Sequence, residues 1–386
     1  MVRKSNMLAR LKFEIHDLVN QILDGLPKTV WTNPSVTFCD PAMAGGQIIS
    51  VIEQRLLAHG HSRDNVAGRV FGYENNKLRV TYARNKHGLI GRYEAVNISE
   101  EPINMKFDVI VGNPPFTNNH NSKRWTLWSK FVEHSVDKLS HDGSIIAMIT
   151  PSSWLSPGKM FDQFMGYGLR VNLDASKHFN VGSTFSHWQL TKQQQSGDFE
   201  VVYEGNNYQI PRTSKWLPCL ITAESLSINR KMFFSGLNRF KFKRTTEYHT
   251  SKKTRFSSKG QYRVFHTLAQ ELKTDHLAPH YEMSKAMITL SGYTQVMVDK
   301  NIGCSQAVAW LQIRDDQQDV ARFVLNSKLY QYLLNINKWS GWNTLDVIKA
   351  LPSVDLSRAW DDLQLYAHFG LTNAEIEFIE KTQGVV

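Results

Sequence analysis

The sequence has little cysteine, and this shortage excludes two common kinds of small-protein scaffold. Cys39, Cys219 and Cys304 are the only cysteines among 386 residues, and none belongs to a Cys-x-x-Cys pair. Three isolated cysteines argue against a disulfide framework and against a structural zinc site. We therefore expect reduced, mostly buried thiols.

Long hydrophobic runs are also missing. No segment approaches the roughly 18 consecutive apolar residues that a membrane span needs. Arg3 and Lys4 lie near the N-terminus, but charged side chains interrupt residues 8–23, so no signal-peptide core follows. We expect a soluble, cytoplasmic protein that makes no contact with a membrane.

The spacing of histidines gives little indication of a metal site. His276 and His280 are four residues apart, as two ligands on a helix would be, but Pro279 between them disfavours a continuous helix. We expect no bound metal.

Positive charge is present in excess and is concentrated in one segment. Residues 209–263 contain 13 Lys and Arg but only two Glu, a net charge of +11, so the rest of the +10 chain carries −1. A local excess of this kind suits a bound polyanion, because neutralised phosphates release counterions. A solvated surface face explains the same excess equally well.

The first half of the sequence alternates between strand and helix patterns. Such alternation predicts a parallel sheet with helices on both faces. The predicted strands are Val36–Cys39, Arg69–Tyr73, Phe107–Val111 and Ser144–Ile149, and the predicted helices are Gly45–Ala58 and Leu127–Leu139.

A polar segment separates the two halves. Residues 193–205 are polar, and Gln193–Gly197 is the expected linker. We therefore predict a domain of residues 1–195 and a second of residues 196–386. The second half has no strand–helix rhythm: short strands are expected within Met287–Asp299 and helices from Asp319 onward, which indicates a mixed α+β domain.

The tetrapeptide Asn113-Pro114-Pro115-Phe116 directly follows the predicted strand Phe107–Val111. The side-chain oxygen of Asn113 and the carbonyl of Pro114 can each accept an N–H bond from a planar amine, which frees the nitrogen lone pair for methylation. Phe116 offers a face on which an extruded base can stack. A strand-ending turn would also use Asn and Pro, but the position at the carboxyl edge of the predicted sheet favours a catalytic loop.

A second motif, Asp40–Gly46, follows the first predicted strand. Its small residues let the backbone approach a ligand, and the helix that begins after it presents unpaired N–H groups to an anion. The motif fits neither the Gly-x-Gly-x-x-Gly nor the Walker pattern. Glu74, at the end of the second strand, is placed to accept bonds from ribose hydroxyls.

Over about half its length the sequence resembles the N6-adenine DNA methyltransferases of restriction-modification type, in which the cofactor motif precedes the catalytic motif. The resemblance rests on Asp40–Gly46, Glu74 and Asn113–Phe116. The strand Ser144–Thr150 with Pro151–Trp154 after it, and Phe179–Thr184 before the strand Ser186–Leu190, are similar too.

The resemblance implies a Rossmann-like S-adenosylmethionine-dependent methyltransferase domain with a C-terminal mixed α+β target-recognition domain. It implies Asn113, Pro114, Pro115 and Phe116 as catalytic residues. The implied cofactor-binding residues are Asp40, Ala42, Met43, Gly46, Glu74 and Asn97. Two positions depart from the pattern. Ala44 stands where many relatives have glycine. In place of the usual aspartate that contacts the cofactor adenine, the nearest candidates are Glu94 and Asn97, of which we choose Asn97.

In the second half, aromatic residues interleave with the basic ones, a composition suited to phosphate contact and base stacking. The expected DNA-binding residues are Arg239, Lys241, Lys243, Arg244, Lys252, Lys253 and Arg255, and the interleaved aromatics are Phe234, Phe240, Phe242, Tyr248, Phe256 and Tyr262. Each aromatic residue taken alone is more often part of a core. Trp339–Asn343 is expected to pack the last helices rather than to line a DNA cleft. Glu271–Lys273 lacks an upstream acidic partner, so we predict no DNA cleavage.

The expected function is transfer of a methyl group from S-adenosylmethionine to N6 of a flipped adenine in double-stranded DNA. The setting would be restriction-modification or protection of phage or host DNA, in a bacterial or phage-infected cell, with a separate restriction endonuclease as partner. Three alternatives stay open: methylation of an RNA base, methylation of a protein glutamine, and a non-catalytic DNA-binding subunit with a methyltransferase fold.

Overall fold

The computed structural model describes residues 17–98, 103–116, 127–179, 184–251 and 256–383. The chain divides into two compact units. The first contains Met1–Ser152 and Asp162–Arg212, and the second contains Ser153–Phe161 and Thr213–Val386. Within the described ranges, no helix combines the length and the apolar character needed to cross a membrane.

The first unit is built on a nine-stranded sheet in the order β3-β2-β1-β4-β5-β7-β6-β8-β9. The strands are β1 Phe38–Asp40, β2 Val70–Tyr73, β3 Arg92–Glu94, β4 Phe107–Gly112, β5 Ser140–Pro151, β6 Tyr167–Asn172, β7 Phe185–Gln194, β8 Phe199–Tyr203 and β9 Asn206–Ile210. Neighbouring strands from β3 to β5 are parallel.

The remaining strands make the sheet mixed, which corrects the prediction of a parallel sheet. β7 lies between β5 and β6 and is antiparallel to both, and β9 is antiparallel to β8. β6 and β8 are parallel to each other. Among the described residues, the connections after β6 contain the short 3₁₀ turn Asp174–His178 and a few further residues, and none of these forms a long crossover helix that would return the chain in the same direction.

The predicted domain boundary at residues 195/196 falls between β7 and β8. Since β8 pairs with β6 of the same sheet, the first unit continues to Arg212. The polar segment Gln193–Gly197 is therefore not an interdomain linker: it ends β7 and forms the connection to β8.

The helices of the first half confirm the periodicity read from the sequence. They are Lys28–Thr32, Gln47–Ala58, Arg63–Arg69, Lys77–His87, Leu127–His134 and Lys159–Phe164, with residues 17–24 also helical. The predicted helix Leu127–Leu139 is α-helical to His134 and continues as a π-helix over Ser135–Leu139.

The core of the first unit joins the sheet to its helices. Ile49 and Ile52 of the helix Gln47–Ala58 are fully buried in one cluster with Phe38 of β1 and Val109 of β4. Burial of each such side chain contributes about 1.5–3 kcal/mol. This packing fixes the helix that follows the Asp40–Gly46 loop against the strands whose ends carry the candidate site.

The second unit is α+β, as predicted. It has a four-stranded sheet in the order β10-β16-β13-β14 and a three-stranded sheet in the order β12-β11-β15. These strands are β10 Lys243–Arg244, β11 Tyr262–Thr267, β12 Gln270–Thr274, β13 Lys285–Thr289, β14 Val296–Asp299, β15 Gly303–Cys304 and β16 Val308–Gln312.

Its helices surround a large core. They are Ala223–Phe233, Gln318–Asn326, Lys328–Ile336, Leu345–Lys349, Asp362–His368 and Asn373–Thr382. Tyr330 and Tyr366 are almost completely buried in this core. The Tyr330 hydroxyl donates to the carbonyl oxygen of Pro352 at 2.6 Å, so the buried phenol is hydrogen-bonded.

Candidate active site

The candidate site lies at the carboxyl ends of three neighbouring strands. β1 pairs in parallel with β2 on one side and with β4 on the other. Asp40 is the last residue of β1, Glu74 follows β2 and Asn113 follows β4. Because parallel strands end at the same edge, the sheet brings the three predicted side chains to one edge, where ligands bind in open α/β sheets.

Hydrogen bonds to the Asp40 side chain and to the end of β2 hold the loop after β1 in place. Asp40 is 1% exposed, and its Oδ1 accepts a hydrogen bond from Ala42 N at 2.9 Å. Met43 N donates to the carbonyl oxygen of Tyr73 at 2.9 Å, which ties the loop to the end of β2. Ala44 has a φ of 45°, in the left-handed region that favours glycine. This explains why glycine is expected at that position.

Gly46 ends the loop and starts the helix Gln47–Ala58. Its φ is 78°, and a Cβ atom there would lie 2.9 Å from Cβ of Ala83, so only glycine fits without a shift. No side chain caps the helix N-terminus. Its first N–H groups therefore suit an anionic ligand group.

Two buried carboxyl groups face the same edge. Glu74 is 7% exposed, and its Oε1 accepts from Asn76 N at 3.1 Å. Arg79 Nη1 lies 3.7 Å from the same oxygen. Burial raises the pKa of Asp40 to about 7, the Glu74 carboxylate adds to the rise, and the Ala42 N–H opposes it.

The Asn-Pro-Pro-Phe loop begins beside the Asp40 loop. A Cβ atom on Gly112 would lie 3.5 Å from Asp40 Oδ1, so the end of β4 and the end of β1 are in contact. Asn113 is exposed, while Pro114 is buried behind it. Pro115 is exposed and Phe116 is half-buried. The amide of Asn113 is thus presented at the surface on a stiff loop.

Phe116 packs against the start of β7. Its ring centroid lies 4.9 Å from that of Phe185, with an interplanar angle of 55°. Phe185 in turn stacks on Phe179 at 4.2 Å. Phe179 begins the segment Phe179–Thr184 that is part of the resemblance, and the structure connects it to the Asn113–Phe116 loop through Phe185; residues 180–183 lie outside the described ranges.

Asn97 follows β3, at the same edge of the sheet, and is partly exposed. β3 pairs in parallel with β2, with Tyr73 opposite Glu94. β3, which Asn97 follows, therefore lies beside the strand that leads to Glu74. The contact of Asn97 with a cofactor stays a prediction.

Sequence reasoning missed Glu53, which ties β3 and the residues just before it to the helix Gln47–Ala58. Glu53 is buried on the helix Gln47–Ala58 and accepts hydrogen bonds from Ile90 N, Gly91 N and the Tyr93 hydroxyl. A carboxylate on the apolar face of a helix was the available signal, since a buried charge needs such partners. Glu53 thereby fixes β3 relative to the helix after the Asp40 loop.

The structure gives the predicted DNA-binding residues different surroundings. Arg239 donates to the carbonyl oxygens of Met232, Phe233 and Ser235 at 2.6–3.1 Å and so caps the helix Ala223–Phe233. Its guanidinium is engaged within the second unit, which weakens the case for phosphate contact.

Three other predicted residues are exposed: Lys241, Lys243 and Arg244. Lys243 Nζ lies 5.3 Å from the centroid of the Trp310 ring, and Arg244 Nε donates to the carbonyl oxygen of Gln306 at 2.6 Å. Lys252, Lys253 and Arg255 lie outside the described residues.

Most of the interleaved aromatics belong to the core rather than to a stacking surface. Phe240, Phe242 and Tyr248 are buried, and Phe234, Phe256 and Tyr262 are partly buried. The base-stacking interpretation is therefore wrong for the three buried rings. Within the segment 339–343, Trp339 Nε1 donates to the carbonyl oxygen of Leu217 at 2.7 Å, which agrees with the prediction that this segment has a packing role. Trp342, by contrast, is 64% exposed.

The two histidines considered as metal ligands have other partners. His276 Nε2 lies 2.6 Å from Glu247 Oε1. His280 is buried, accepts a hydrogen bond from Cys304 N and stacks on Trp310, and burial lowers its pKa to about 4. In the described part of the chain, no group of three or more His, Cys, Asp or Glu side chains is arranged to hold a metal ion.

The sheet and the three loops at its edge define the class of protein. Five parallel strands, with an antiparallel β7 inserted between β5 and β6, make a Rossmann-like α/β domain, and the second unit is α+β. The family model of the Eco57I restriction-modification methylases matches residues 72–173. This segment includes Glu74, Asn97 and Asn113–Phe116, and it confirms the resemblance to restriction-modification methyltransferases.

Several solved structures are similar to this chain at low identity. The type IIG restriction endonuclease BpuSI is 10% identical with a TM-score of 0.44, over 97% of this chain and 60% of that one. The type IIL enzyme MmeI, in complex with DNA, is 12% identical with a TM-score of 0.41, over 88% and 65%.

A type I methyltransferase subunit from Streptococcus thermophilus is 16% identical with a TM-score of 0.36, over 57% of this chain and 50% of that one. This chain spans less than two thirds of the length of each of these three proteins. No curated protein matches the sequence.

Proposed function

We propose that this protein is a site-specific DNA methyltransferase that transfers the methyl group of S-adenosylmethionine to N6 of an adenine flipped out of duplex DNA. The observation that carries the proposal is the position of Asn113. Asn113 is exposed and follows β4, whose end contacts the buried Asp40, and Pro114 is buried. This position supports a loop that presents two acceptors next to a bound methyl donor.

The Asn113–Pro114 pair would free the lone pair of the target nitrogen. The Asn113 side-chain oxygen and the Pro114 carbonyl oxygen each accept one N–H bond of the exocyclic amine. The nitrogen then moves towards tetrahedral geometry, and its lone pair points at the methyl carbon. A nitrogen–carbon bond forms, the sulfur–carbon bond breaks, and the extra proton leaves to water.

The residues at the edge of β1 and β2 fit S-adenosylmethionine. Buried Glu74 suits the ribose hydroxyls, and the uncapped N-terminus of the helix Gln47–Ala58 suits the carboxylate of the methionine part. The cofactor supplies an electrophilic methyl group. Asp40, Ala42, Met43, Gly46 and Asn97 complete the proposed cofactor set.

The second unit would recognise the DNA. Exposed Lys241, Lys243 and Arg244 support phosphate contact there. The resemblance favours adenine in DNA over an RNA base or a protein glutamine, and the intact Asp40, Glu74 and Asn113 oppose a non-catalytic subunit. We further propose that the enzyme acts in restriction-modification or DNA protection, together with a separate restriction endonuclease in the cytoplasm.

The test is methyl transfer from labelled S-adenosylmethionine to mixed-sequence duplex DNA, RNA and protein extract in parallel. We expect label in DNA and a loss of about 100- to 1,000-fold in Asn113→Ala. Asn207→Ala is the control, since Asn207 is also exposed but lies on β9. Label only in RNA or protein, or an undiminished rate in Asn113→Ala, contradicts the proposal. Calorimetry that detects DNA binding but no cofactor binding would establish the non-catalytic subunit instead.

A further inference from the structure

Two large aromatic side chains are exposed on neighbouring loops of the second unit. Tyr293 is 58% exposed and lies between β13 and β14. Trp342 is 64% exposed and lies between the helices Lys328–Ile336 and Leu345–Lys349. Burial of such rings is a large source of binding free energy, so two of them left in water indicate a contact surface.

The two loops meet at a pair of glycines. Gly292 has a φ of 92°, and a Cβ atom there would lie 2.1 Å from the carbonyl oxygen of Gly341. The backbones therefore approach more closely than any side chain at Gly292 would allow. Since Tyr293 and Trp342 are the next residues along the chain, this contact brings the backbones of the two aromatic residues close together.

Hydrogen bonds hold both loops in this arrangement. Asn343 Nδ2 donates to the carbonyl oxygens of Tyr293 at 2.7 Å and Thr289 at 2.8 Å. Lys338 Nζ donates to the carbonyl oxygen of Gly292 at 2.9 Å. The backbone that carries the two aromatic residues is thus already ordered, so ligand binding would not lose free energy to ordering these loops.

The two loops carry no negative charge. Residues 290–295 and 339–344 contain no Asp or Glu. Lys338, directly before the second loop, adds a positive charge beside Gly292, to whose carbonyl oxygen its Nζ donates. The small polar residues Ser291 and Ser340 each come two positions before an aromatic residue, and Trp342 N donates to Ser340 Oγ at 3.3 Å. Such a polar loop suits a nucleic-acid base better than the apolar face of a protein helix.

We propose that Tyr293 and Trp342 form a stacking surface for an unpaired base of the nucleic-acid substrate. Aromatic faces bind bases of any sequence, so the pair would contribute affinity rather than sequence specificity. The proposal rests on the proposed function, because it assumes that the substrate is a nucleic acid. It adds a contact that lies outside the methyltransferase domain.

Fluorescence anisotropy of the full chain tests this surface. The probes are a labelled DNA duplex with a two-nucleotide bulge and the fully paired duplex of the same sequence. We expect Tyr293→Ala and Trp342→Ala each to weaken binding of the bulged duplex by about 5- to 150-fold. Trp342→Phe should retain most of the affinity. Phe323→Ala is the control, because Phe323 is 43% exposed on the helix Gln318–Asn326.

Wild-type affinity for the bulged duplex in both alanine variants overturns the proposal. An equal loss in Phe323→Ala, or a loss in Trp342→Phe as large as in Trp342→Ala, overturns it as well. Thermal unfolding of each variant separates lost contacts from lost structure. If the wild type transfers no methyl group to DNA but Trp342→Ala still loses affinity for the bulge, the proposed function fails and this surface stands.

Discussion

Asp40 carries a carboxyl group that the fold removes from water at the candidate active site. Its single backbone donor, Ala42 N, does not compensate for burial and for the nearby Glu74 carboxylate, so the pKa of Asp40 rises to about 7. The proton on Asp40 is thus held more tightly in the folded protein than in the unfolded chain. This difference links the protonation of one residue to the stability of the whole unit.

The free energy of unfolding should fall as pH rises from about 4 to about 7. In this range the unfolded chain releases the Asp40 proton near its ordinary pKa of 3.8, whereas the folded protein keeps it until about 7. The contribution is present below pH 4 and is lost by pH 7, and it amounts to about 4 kcal/mol at most. Urea unfolding at several pH values measures it.

Asp40→Asn should remove this part of the pH dependence, since asparagine does not titrate. Asp64→Asn is the control, because Asp64 is an exposed carboxylate in the first turn of the helix Arg63–Arg69. A pH profile of Asp40→Asn that follows the wild type would show that Asp40 does not hold its proton as inferred.

At the scale of elements, the Asp40–Gly46 loop is positioned by the packing of β2. Gly72 of β2 leaves room for Met43 and for the Tyr93 ring of β3: a Cβ atom there would lie 2.7 Å from Met43 Sδ and 2.9 Å from Tyr93 Cδ1. Glu53 holds Tyr93 from the other side. β2, the Asp40–Gly46 loop and, through Glu53 and Tyr93, the helix Gln47–Ala58 are thus connected around Gly72.

Gly72→Ala should lower the free energy of unfolding by about 1–3 kcal/mol, the usual effect of overpacking. It should also weaken S-adenosylmethionine binding, because Met43 must move. Gly68→Ala is the matched control: nothing lies within 4 Å of a Cβ there, and alanine in a helix is favoured over glycine by about 1 kcal/mol. Denaturant unfolding and calorimetry measure both effects. Wild-type stability and cofactor affinity in Gly72→Ala would contradict this account of the loop.

The sequence predicted local elements better than their pairing. The runs at Phe107–Val111 and Gly45–Ala58 are long and periodic, so the strand and the helix were found to within two residues. The direction of β7 and the extension of the sheet through β8 and β9 depend on long-range contacts that no local pattern records. Glu53 escaped notice for the same reason: its partners are 37 to 40 residues away.

For the whole molecule, the distribution of charge predicted a surface that the structure only partly supports. The excess of basic residues in 209–263 is real, but Arg239 is used as a helix cap, and Arg263 pairs with Glu271 and Asp299. A count of charges cannot separate such structural roles from exposed ones. Burial and hydrogen-bond partners can separate them, and they leave Lys241 and Lys243 as the clearer candidates for phosphate contact.

The salt dependence of DNA binding should distinguish these groups. Replacing Lys241, Lys243 and Arg244 together with alanine should reduce the slope of log K against log salt by about 3, since each phosphate contact contributes about 0.9. The control replaces Arg314, Lys328 and Lys381, which pair with Asp316, Glu380 and Glu377, and removes the same net charge. Binding isotherms from 50 to 200 mM salt, roughly the range over which such contacts are lost, give both slopes. If the two triple variants show the same slope, net charge rather than the 241–244 segment attracts the DNA.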